Sequence, residues 1–292
     1  MRINNNLMAL NNQRQRGINH INTVRNIERL SSGLRINRAA DNAANLAISE
    51  RMRAQIGGLN MAGRNAQDAV SLLQVAEGGL QTIQNALHSL RELAVQAASD
   101  TNTAFEREAM DTVSSLISEE ITDIAESTQF NTMPLLDGSL AQDDPQIPGV
   151  DYRGPLVIQV GANQNDTTTI DINAVSAEAL GVQHAANPGD EGVSVATREA
   201  ASNSIGAIDD ALNQVSMQRA EIGARQNAME FRMQNLSVQA ENTAAAESRI
   251  RDTDMAREMI SFTTNQILNH ASMALAAQAN AVPTEILRLI SS

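Results

Sequence analysis

The chain has 292 residues and a formal net charge of -13, and 42% of its residues are hydrophobic although only 2% are aromatic. The acidic balance excludes the usual nucleic-acid and anionic-membrane binders, because both kinds of partner require a basic protein surface. The absence of cysteine excludes a disulfide framework, a zinc–thiolate site and a thiol nucleophile. An apolar content of Ala, Leu, Ile, Val and Met favours long helices packed side by side.

The first segment, residues 3–34, has the apolar spacing of an amphipathic helix. Such a helix cannot cover its own apolar face, so we expect other helices and neighbouring subunits to cover it. The predicted polymerisation surface of this segment comprises Ile3, Leu7, Leu10, Ile21, Val24, Leu30 and Leu34.

Residues 41–97 predict one long helix that begins at Asp41, whose carboxylate suits an N-cap position. Its apolar residues follow alternating steps of three and four over about five heptads, which is typical of a helix–helix seam. At about 1.5 Å per residue the helix would be roughly 80 Å long, which predicts a rod. The seam comprises Leu59, Ala62, Ala66, Ala69, Leu73, Ala76, Leu80, Ile83, Leu87, Leu90 and Ala94.

A turn at residues 100–103 leads into a second predicted helix, residues 104–127. Because the connection is short, the two helices are expected to pack antiparallel. The predicted apolar face of the second helix carries Met110, Val113, Ile117, Ile121 and Ile124.

The middle of the chain, residues 131–190, contains helix-breaking Pro and Gly residues. Two runs within it, residues 156–160 and 167–172, have the composition of strands. The turn residues between them predict a β-hairpin.

Residues 193–243 predict a third long helix of the bundle. Its seam is less apolar than the first, because Arg219 and Gln226 fall within it. The apolar members are Ile205, Ile208, Leu212, Val215, Ile222, Met229, Met233, Leu236 and Ala240.

The final segment, residues 250–290, is again amphipathic and ends in an Ala-rich stretch. Its predicted contribution to the polymerisation surface is Ile250, Met255, Met259, Phe262, Ile267 and Met273. Like the first segment, it requires a partner to cover its apolar face.

These elements predict a mainly α fold: an elongated rod of long antiparallel helices in a coiled-coil-like bundle, with a small β-hairpin in the middle. We expect a terminal coiled-coil domain from residues 1–40 and 244–292. A helical rod domain would comprise residues 41–182 and 193–243, with a short loop at 183–192.

No catalytic, cofactor-binding or metal site is predicted, so the chain is not expected to be an enzyme. The histidines at 20, 88, 184 and 270 are far apart in sequence, and none begins an HExxH motif. The acidic pairs are sequence neighbours, which point about 100° apart on a helix and therefore form no catalytic dyad.

Two separate regions carry a family resemblance. Residues 29–49 read RLSSGLRINRAADNAANLAIS, and residues 91–103 read RELAVQAASDTNT. Near the other end, residues 210–230 read DALNQVSMQRAEIGARQNAME and residues 244–263 read AAAESRIRDTDMAREMISFT. The chain closely resembles bacterial flagellins in both regions.

The resemblance implies a structural subunit that polymerises with itself into the extracellular flagellar filament. In the family, the terminal helices line the inner wall of the filament, and outer domains are inserted after the hairpin. The short loop at residues 183–192 implies that outer domains are absent here.

Export and partners also follow from the resemblance. No cleavable signal peptide or membrane span is visible, which by general rules would predict a cytoplasmic protein. The family instead uses the flagellar type III export apparatus without a cleaved signal. It also implies an export chaperone bound to residues 250–292, and hook-junction and cap proteins as further partners.

Some flagellins activate a vertebrate innate immune receptor of the Toll-like class. The family's contact positions correspond here to Ser89, Leu93 and Val113, and two of the three differ from the family's Arg and Glu. Strong receptor activation is therefore not expected.

Two alternatives to a filament subunit stay open at this point. A hook–filament junction protein would share the terminal helices but would not form long filaments. A cytoplasmic coiled-coil scaffold would form stable oligomers without export.

Overall fold

The computed structural model describes residues 6–142, 152–185 and 192–291. Its elements in chain order are α1 Leu7–Ser32, α2 Ala43–Ala97, α3 Ala104–Ser127, β1 Gln129–Phe130, β2 Met133–Pro134, β3 Leu156–Gln159, β4 Thr167–Ile170, α4 Arg198–Arg251 and α5 Met255–Ser291. The predicted mainly α fold with long helices is confirmed. None of the helices in the described ranges is both long and apolar enough to cross a membrane.

The chain forms two compact units. The first comprises Met1–Ile56 and Glu241–Ser292, and the second comprises Gly57–Ala240. The first unit contains α1, α5 and the adjoining ends of α2 and α4, whereas the second contains the remainder of α2 and α4 with α3 and the strands.

The core of the second unit is built on α2. Every residue of the predicted α2 seam is buried, from Leu59 to Ala94. Most of them share a cluster with apolar residues of α3, α4 and the middle of the chain. Alternation of Ala with Leu and Ile lets neighbouring helices approach at some levels and interlock at others, as in coiled-coil packing.

In the second unit α2 and α4 pack antiparallel. Residue numbers fall along α2 as they rise along α4 in the polar pairs Arg91–Asp209, Gln84–Arg219 and Glu77–Gln226. The two polar residues expected within the α4 seam, Arg219 and Gln226, therefore find polar partners on α2. These partners satisfy the Gln226 amide and the terminal nitrogens of Arg219, whereas the buried Arg219 Nε has no hydrogen-bond partner.

The α3 helix begins with a capping box. The Thr103 hydroxyl accepts a hydrogen bond from the Glu106 amide, and the Glu106 carboxylate accepts one from the Thr103 amide at 2.7 Å. This reciprocal pair satisfies two amide groups that the helix itself leaves unpaired.

The predicted apolar face of α3 was wrong at Val113, which is 45% exposed. The buried face instead includes Ser114 and Ser118, between Met110 and Ile121. A serine fits there because it is small and because the Ser118 hydroxyl donates to the Val182 carbonyl at 3.0 Å. Apolar periodicity does not register a buried serine.

The β-hairpin prediction is confirmed. Strands β3 and β4 pair antiparallel, with Leu156 opposite Ile170 and Gln159 opposite Thr167. A second, two-residue hairpin of β1 and β2 was not predicted. Its turn residues, Asn131 and Thr132, both have positive φ, as a tight type I′ turn requires.

The predicted N-cap of α2 was wrong by one residue. The Asn42 side chain accepts a hydrogen bond from the Asn45 amide at 3.0 Å and so caps the helix. Asp41 instead accepts hydrogen bonds from the amides of Arg38 and Asn37. These bonds, the one from Arg38 first, hold the pKa of Asp41 below its usual value.

Candidate interaction surface

Helices α1 and α5 pack antiparallel in the first unit, through small and polar side chains. Asn19, Asn26, Ser272 and Ala279 are all buried. The Asn19 amide donates to the Ser272 hydroxyl at 3.3 Å. The contact between the two helices therefore contains little large apolar surface.

Further hydrogen bonds extend this contact along both helices. The Asn6 side-chain amide donates to the Ala279 carbonyl at 2.7 Å, and the Asn269 amide donates to the Thr23 hydroxyl at 3.0 Å. Hydrogen bonds of this kind contribute about 1 kcal/mol each on balance. They orient the pair more than they stabilise it.

The large apolar residues of α1 point away from α5. At about 100° per residue, Leu10 and Ile21 lie roughly 180° and 200° around the helix from the buried Asn19. They are 58% and 55% exposed respectively. Leu7 and Val24, also predicted, are exposed as well.

Helix α5 shows the same arrangement. Met255, Met259, Ile267 and Met273 are between 45% and 61% exposed. Ile267 lies about 140° around the helix from the buried Ser272. We call these four residues, together with Leu7, Leu10, Ile21 and Val24, the outward apolar face.

The structure adds apolar residues that the sequence pattern missed. Met8, Ile18 and Ile27 on α1, and Ile260, Leu268 and Leu275 on α5, are also more than 40% exposed. The predicted set took only some of the apolar residues of each helix and so omitted these six. Neighbours on a helix widen an apolar stripe, so the apolar surface is broader than a single seam.

The other predicted surface residues occupy different environments. Leu30, Ile250 and Phe262 are half-buried. Leu34 lies beyond the end of α1, where it forms an isolated antiparallel bridge with Asp252. Ile3 lies outside the described residues.

That bridge ties the end of α1 to the end of α4. Gly33 ends α1 with φ 71°, a left-handed conformation that favours glycine. The Arg35 amide then donates to the Arg251 carbonyl at 2.7 Å, and the Thr253 amide donates to the Gly33 carbonyl at 3.0 Å. No periodic signal could have predicted this pairing, because it involves single residues.

Charged side chains reinforce the same junction. The Arg35 guanidinium donates to the Ile250 carbonyl at 2.5 Å. Arg251 forms an ion pair with Glu50 of α2, also at 2.5 Å. These contacts join the end of α1 to the segment that leads into α5. The two helices that carry the outward apolar face are therefore fixed to each other at this end.

The apolar face would contribute a substantial free energy if a partner covered it. Fully burying a Leu, Ile or Met side chain contributes about 1.5–3 kcal/mol. Since about half of each side chain is still exposed, the eight residues of the face together offer on the order of 10 kcal/mol before association costs. Exposed apolar surfaces of this extent mark interaction sites.

The three predicted receptor positions are on the second unit. Ser89 of α2 is exposed, and its hydroxyl donates to the Asn85 carbonyl within the helix. Leu93 is half-buried against the core, and Val113 of α3 is exposed. Leu93 therefore contributes partly to packing.

Metal chemistry finds no support in the described ranges, where no three His, Cys, Asp or Glu side chains come together as a metal site. His184 lies 3.7 Å from the Asp111 carboxylate, which also accepts hydrogen bonds from the Ser194 hydroxyl and the Val195 amide.

Comparison with known protein families matches both halves of the chain. Residues 3–141 match the bacterial flagellin N-terminal helical region, and residues 205–290 match the bacterial flagellin C-terminal helical region. The matched residues include α1, α2, α3 and most of α4 and α5.

Curated relatives are similar over their full length. A flagellin of Halalkalibacterium halodurans is 44% identical over 290 residues, covering 99% of this chain and 100% of the relative. A flagellin of Bacillus subtilis is 44% identical over 310 residues with the same coverage. The flagellar filament 31.3 kDa core protein of Treponema maltophilum is 40% identical over 290 residues, again with 99% and 100% coverage.

A solved structure shares the fold. It is a flagellar hook-associated protein from Vibrio parahaemolyticus, with a TM-score of 0.58 and 16% identity, and the similarity covers 73% of this chain and all of that one. At this identity the similarity concerns the fold alone.

Proposed function

The chain belongs to the bacterial flagellin family, and we propose that it polymerises into the flagellar filament by burying its outward apolar face between subunits. The family is structural rather than enzymatic. A junction protein and a scaffold are not favoured, because full-length relatives are flagellins or filament core proteins.

The proposed surface rests on one observation, which is that the contact between α1 and α5 is made by polar side chains. Asn19 and Ser272 lie between the helices, whereas Ile21 and Ile267 face outward. An isolated soluble subunit would gain by the opposite arrangement, with apolar residues inside. A subunit that is covered by its neighbours gains by the arrangement observed.

Open growth follows from unlike contacting surfaces. If one subunit's outward face meets a different surface on the next, the contact is heterologous and repeats without closing when the rotation forms no ring. The result is a helical polymer rather than a discrete oligomer.

Seeded polymerisation tests this function. Purified chain would be dissociated by heat or acid, returned to neutral pH with short filament seeds, and examined by electron microscopy. Long uniform filaments are expected, and deleting residues 1–35 or 250–292 should abolish them. Monomers or short oligomers in the presence of active seeds would contradict the proposal.

The absence of outer domains is supported by the ends of the predicted loop. The Ala185 amide donates to the Val193 carbonyl at 3.0 Å, and the Val193 amide donates to the Gln183 carbonyl at 2.8 Å. Residues 186–191 of this loop lie outside the described residues. Because so short a loop leaves no room for an outer domain, the filament would have a comparatively smooth outer surface. Electron microscopy of the same filaments would then show no radial projections.

Export and chaperone binding form a second part of the proposal, resting on the family resemblance. Exposed apolar residues on α5, such as Ile267 and Leu275, need protection before assembly. We propose that an export chaperone covers this helix inside the cell. Co-purification with the cell's own flagellar chaperone should be lost on deletion of residues 255–291; retained binding would contradict it.

The proposed contacts at the filament ends are with hook-junction and cap proteins, again by family resemblance. These proteins would contact the same terminal helices that subunits contact. Filament growth on isolated hook–junction complexes, lost with the terminal deletions, would support this, and growth unaffected by them would contradict it.

Receptor activation is proposed to be weak, because Ser89 and Val113 replace the family's Arg and Glu. A reporter-cell assay should show low potency for the monomer. The double variant Ser89→Arg, Val113→Glu should raise the potency. Full potency of the unaltered chain would contradict the proposal.

A further inference from the structure

Apart from histidine, all the basic side chains of this chain are arginine. The sequence has 21 such residues and contains no lysine. Lysine is among the commonest residues of soluble domains, so its absence from 292 residues is a distinct property of this chain.

The consequence concerns the charge of the chain in alkaline solution. Lysine, cysteine and tyrosine side chains change charge at about pH 10.4, 8.5 and 10, whereas arginine stays charged beyond about pH 12. The chain has no lysine, no cysteine and one tyrosine. Above the histidine range, its side-chain charge is therefore nearly constant until arginine itself titrates.

Within the second unit, arginine side chains connect secondary-structure elements through ion pairs and hydrogen bonds that depend on their positive charge. Arg225 of α4 donates to the Thr169 carbonyl at 2.8 Å and pairs with Asp171 and Glu221. It thereby connects α4 to strand β4.

Arg107 closes the turn between α2 and α3. Its guanidinium donates to the carbonyls of Ala97 and Ser99 at 2.9 and 2.8 Å, and it lies 3.9 Å from Asp100. The guanidinium therefore caps the carboxyl-terminal end of α2 at Ala97, where positive charge is favourable. A lysine at this position would lose its charge on deprotonation, and it lacks the planar fork with which the guanidinium donates to two carbonyls at once.

The first unit uses arginine in the same way. Arg35 donates to the Ile250 carbonyl, and Arg251 pairs with Glu50, which also lies 3.6 Å from Arg53. The junction beneath the outward apolar face therefore depends on guanidinium groups and on one carboxylate, and it uses no lysine.

We propose that this subunit forms a filament for strongly alkaline media, which stays assembled at pH values where lysine-dependent contacts would be lost. This rests on the proposed filament function. The apolar face does not titrate, and the charged contacts that position it stay constant. Assembly and subunit stability should accordingly be flat between about pH 8 and about pH 11.5.

Pelleting and unfolding measurements test the proposal in parallel. Filaments of the full chain would be incubated across this range, and the subunit concentration left in the supernatant measured. It should change less than about twofold, since the ion pairs described above contain arginine and no lysine. A rise with a midpoint near pH 10 would overturn the inference. Failure to form filaments at neutral pH would instead contradict the proposed function.

Matched substitutions test the cause. Arg225→Lys and Arg107→Lys should each unfold at lower denaturant as the pH rises past about 10, relative to their own values at pH 8. Arg64→Lys, at an exposed position of α2, should remain as flat as the unaltered chain. If both Arg225→Lys and Arg107→Lys stay flat, the arginine contacts are not the source of alkaline stability. Two sites are used because one variant could fail to fold.

Discussion

Replacing Ile21 by serine should weaken filament assembly without destabilising the subunit. Ile21 is 55% exposed on α1, opposite the contact with α5. Covering the exposed half of an isoleucine contributes about 1–1.5 kcal/mol. Since about 1.4 kcal/mol corresponds to a tenfold change, the soluble subunit concentration at equilibrium should rise roughly five- to tenfold.

The assay is sedimentation of seeded filaments, with the soluble concentration measured in the supernatant. Serine and isoleucine have similar helix propensities, so the helix itself should be unaffected. The subunit's free energy of unfolding should stay within about 0.5 kcal/mol of that of the unaltered chain, as expected for an exposed site. Gln13→Ser, at an exposed polar position of the same helix, is the matched control.

Two outcomes would refute this reasoning. An unchanged soluble concentration for Ile21→Ser would mean that the residue stays in water within the filament. A large loss of subunit stability would mean that Ile21 is already covered in the free subunit.

Three further predictions concern the subunit itself. Leu87→Ala, in the fully buried α2 seam, should lower the free energy of unfolding by about 2–5 kcal/mol in denaturant titrations, and a loss below about 1 kcal/mol would contradict the packing described. Asn42→Ala should cost about 1 kcal/mol through loss of the α2 cap, whereas Asp41→Ala should leave hydrogen-exchange protection of the first turn of α2 unchanged. The hydrogen bond from the Thr103 amide holds the pKa of Glu106 below its usual value, so its stabilisation is present above that value and lost as the pH falls. Glu106→Gln should therefore lower the unfolding midpoint at neutral pH and match the unaltered chain in acid; an equal deficit at both pH values would contradict the capping box.

The parts of the fold with strong apolar periodicity could be predicted from the sequence. The α2 seam from Leu59 to Ala94 is an example, because its large and small apolar residues repeat without a break. The β3–β4 hairpin was predictable for a related reason, since turn residues separate two strand-like runs. Both signals are local in sequence, and the α2 signal also repeats along the helix.

Features that depend on single polar residues could not be predicted. Ser118 is buried in α3 because its hydroxyl reaches the Val182 carbonyl, which is 64 residues away in sequence. Asn19 faces α5 for a similar reason, through Ser272. Each polar residue reads as surface in a sequence, and a buried partner is visible only once the chain has folded.

The outward apolar face illustrates both cases. Its periodicity identified Leu10, Ile21 and Ile267 as surface to be covered. Which helix face meets α5 could not be read from the pattern, because an apolar stripe ordinarily predicts the contact itself. The asparagines at the helix contact reverse that expectation and leave the apolar residues exposed on the single subunit.

The central claim is tested most directly by a side-chain-resolution electron cryo-microscopy structure of the assembled filament. We predict that Leu10, Ile21, Met259 and Ile267 are packed against neighbouring subunits, while Asn19 remains hydrogen-bonded to Ser272 within its own subunit. A filament in which these apolar side chains line open solvent, or in which α1 and α5 have turned to bury them against each other, would contradict the account.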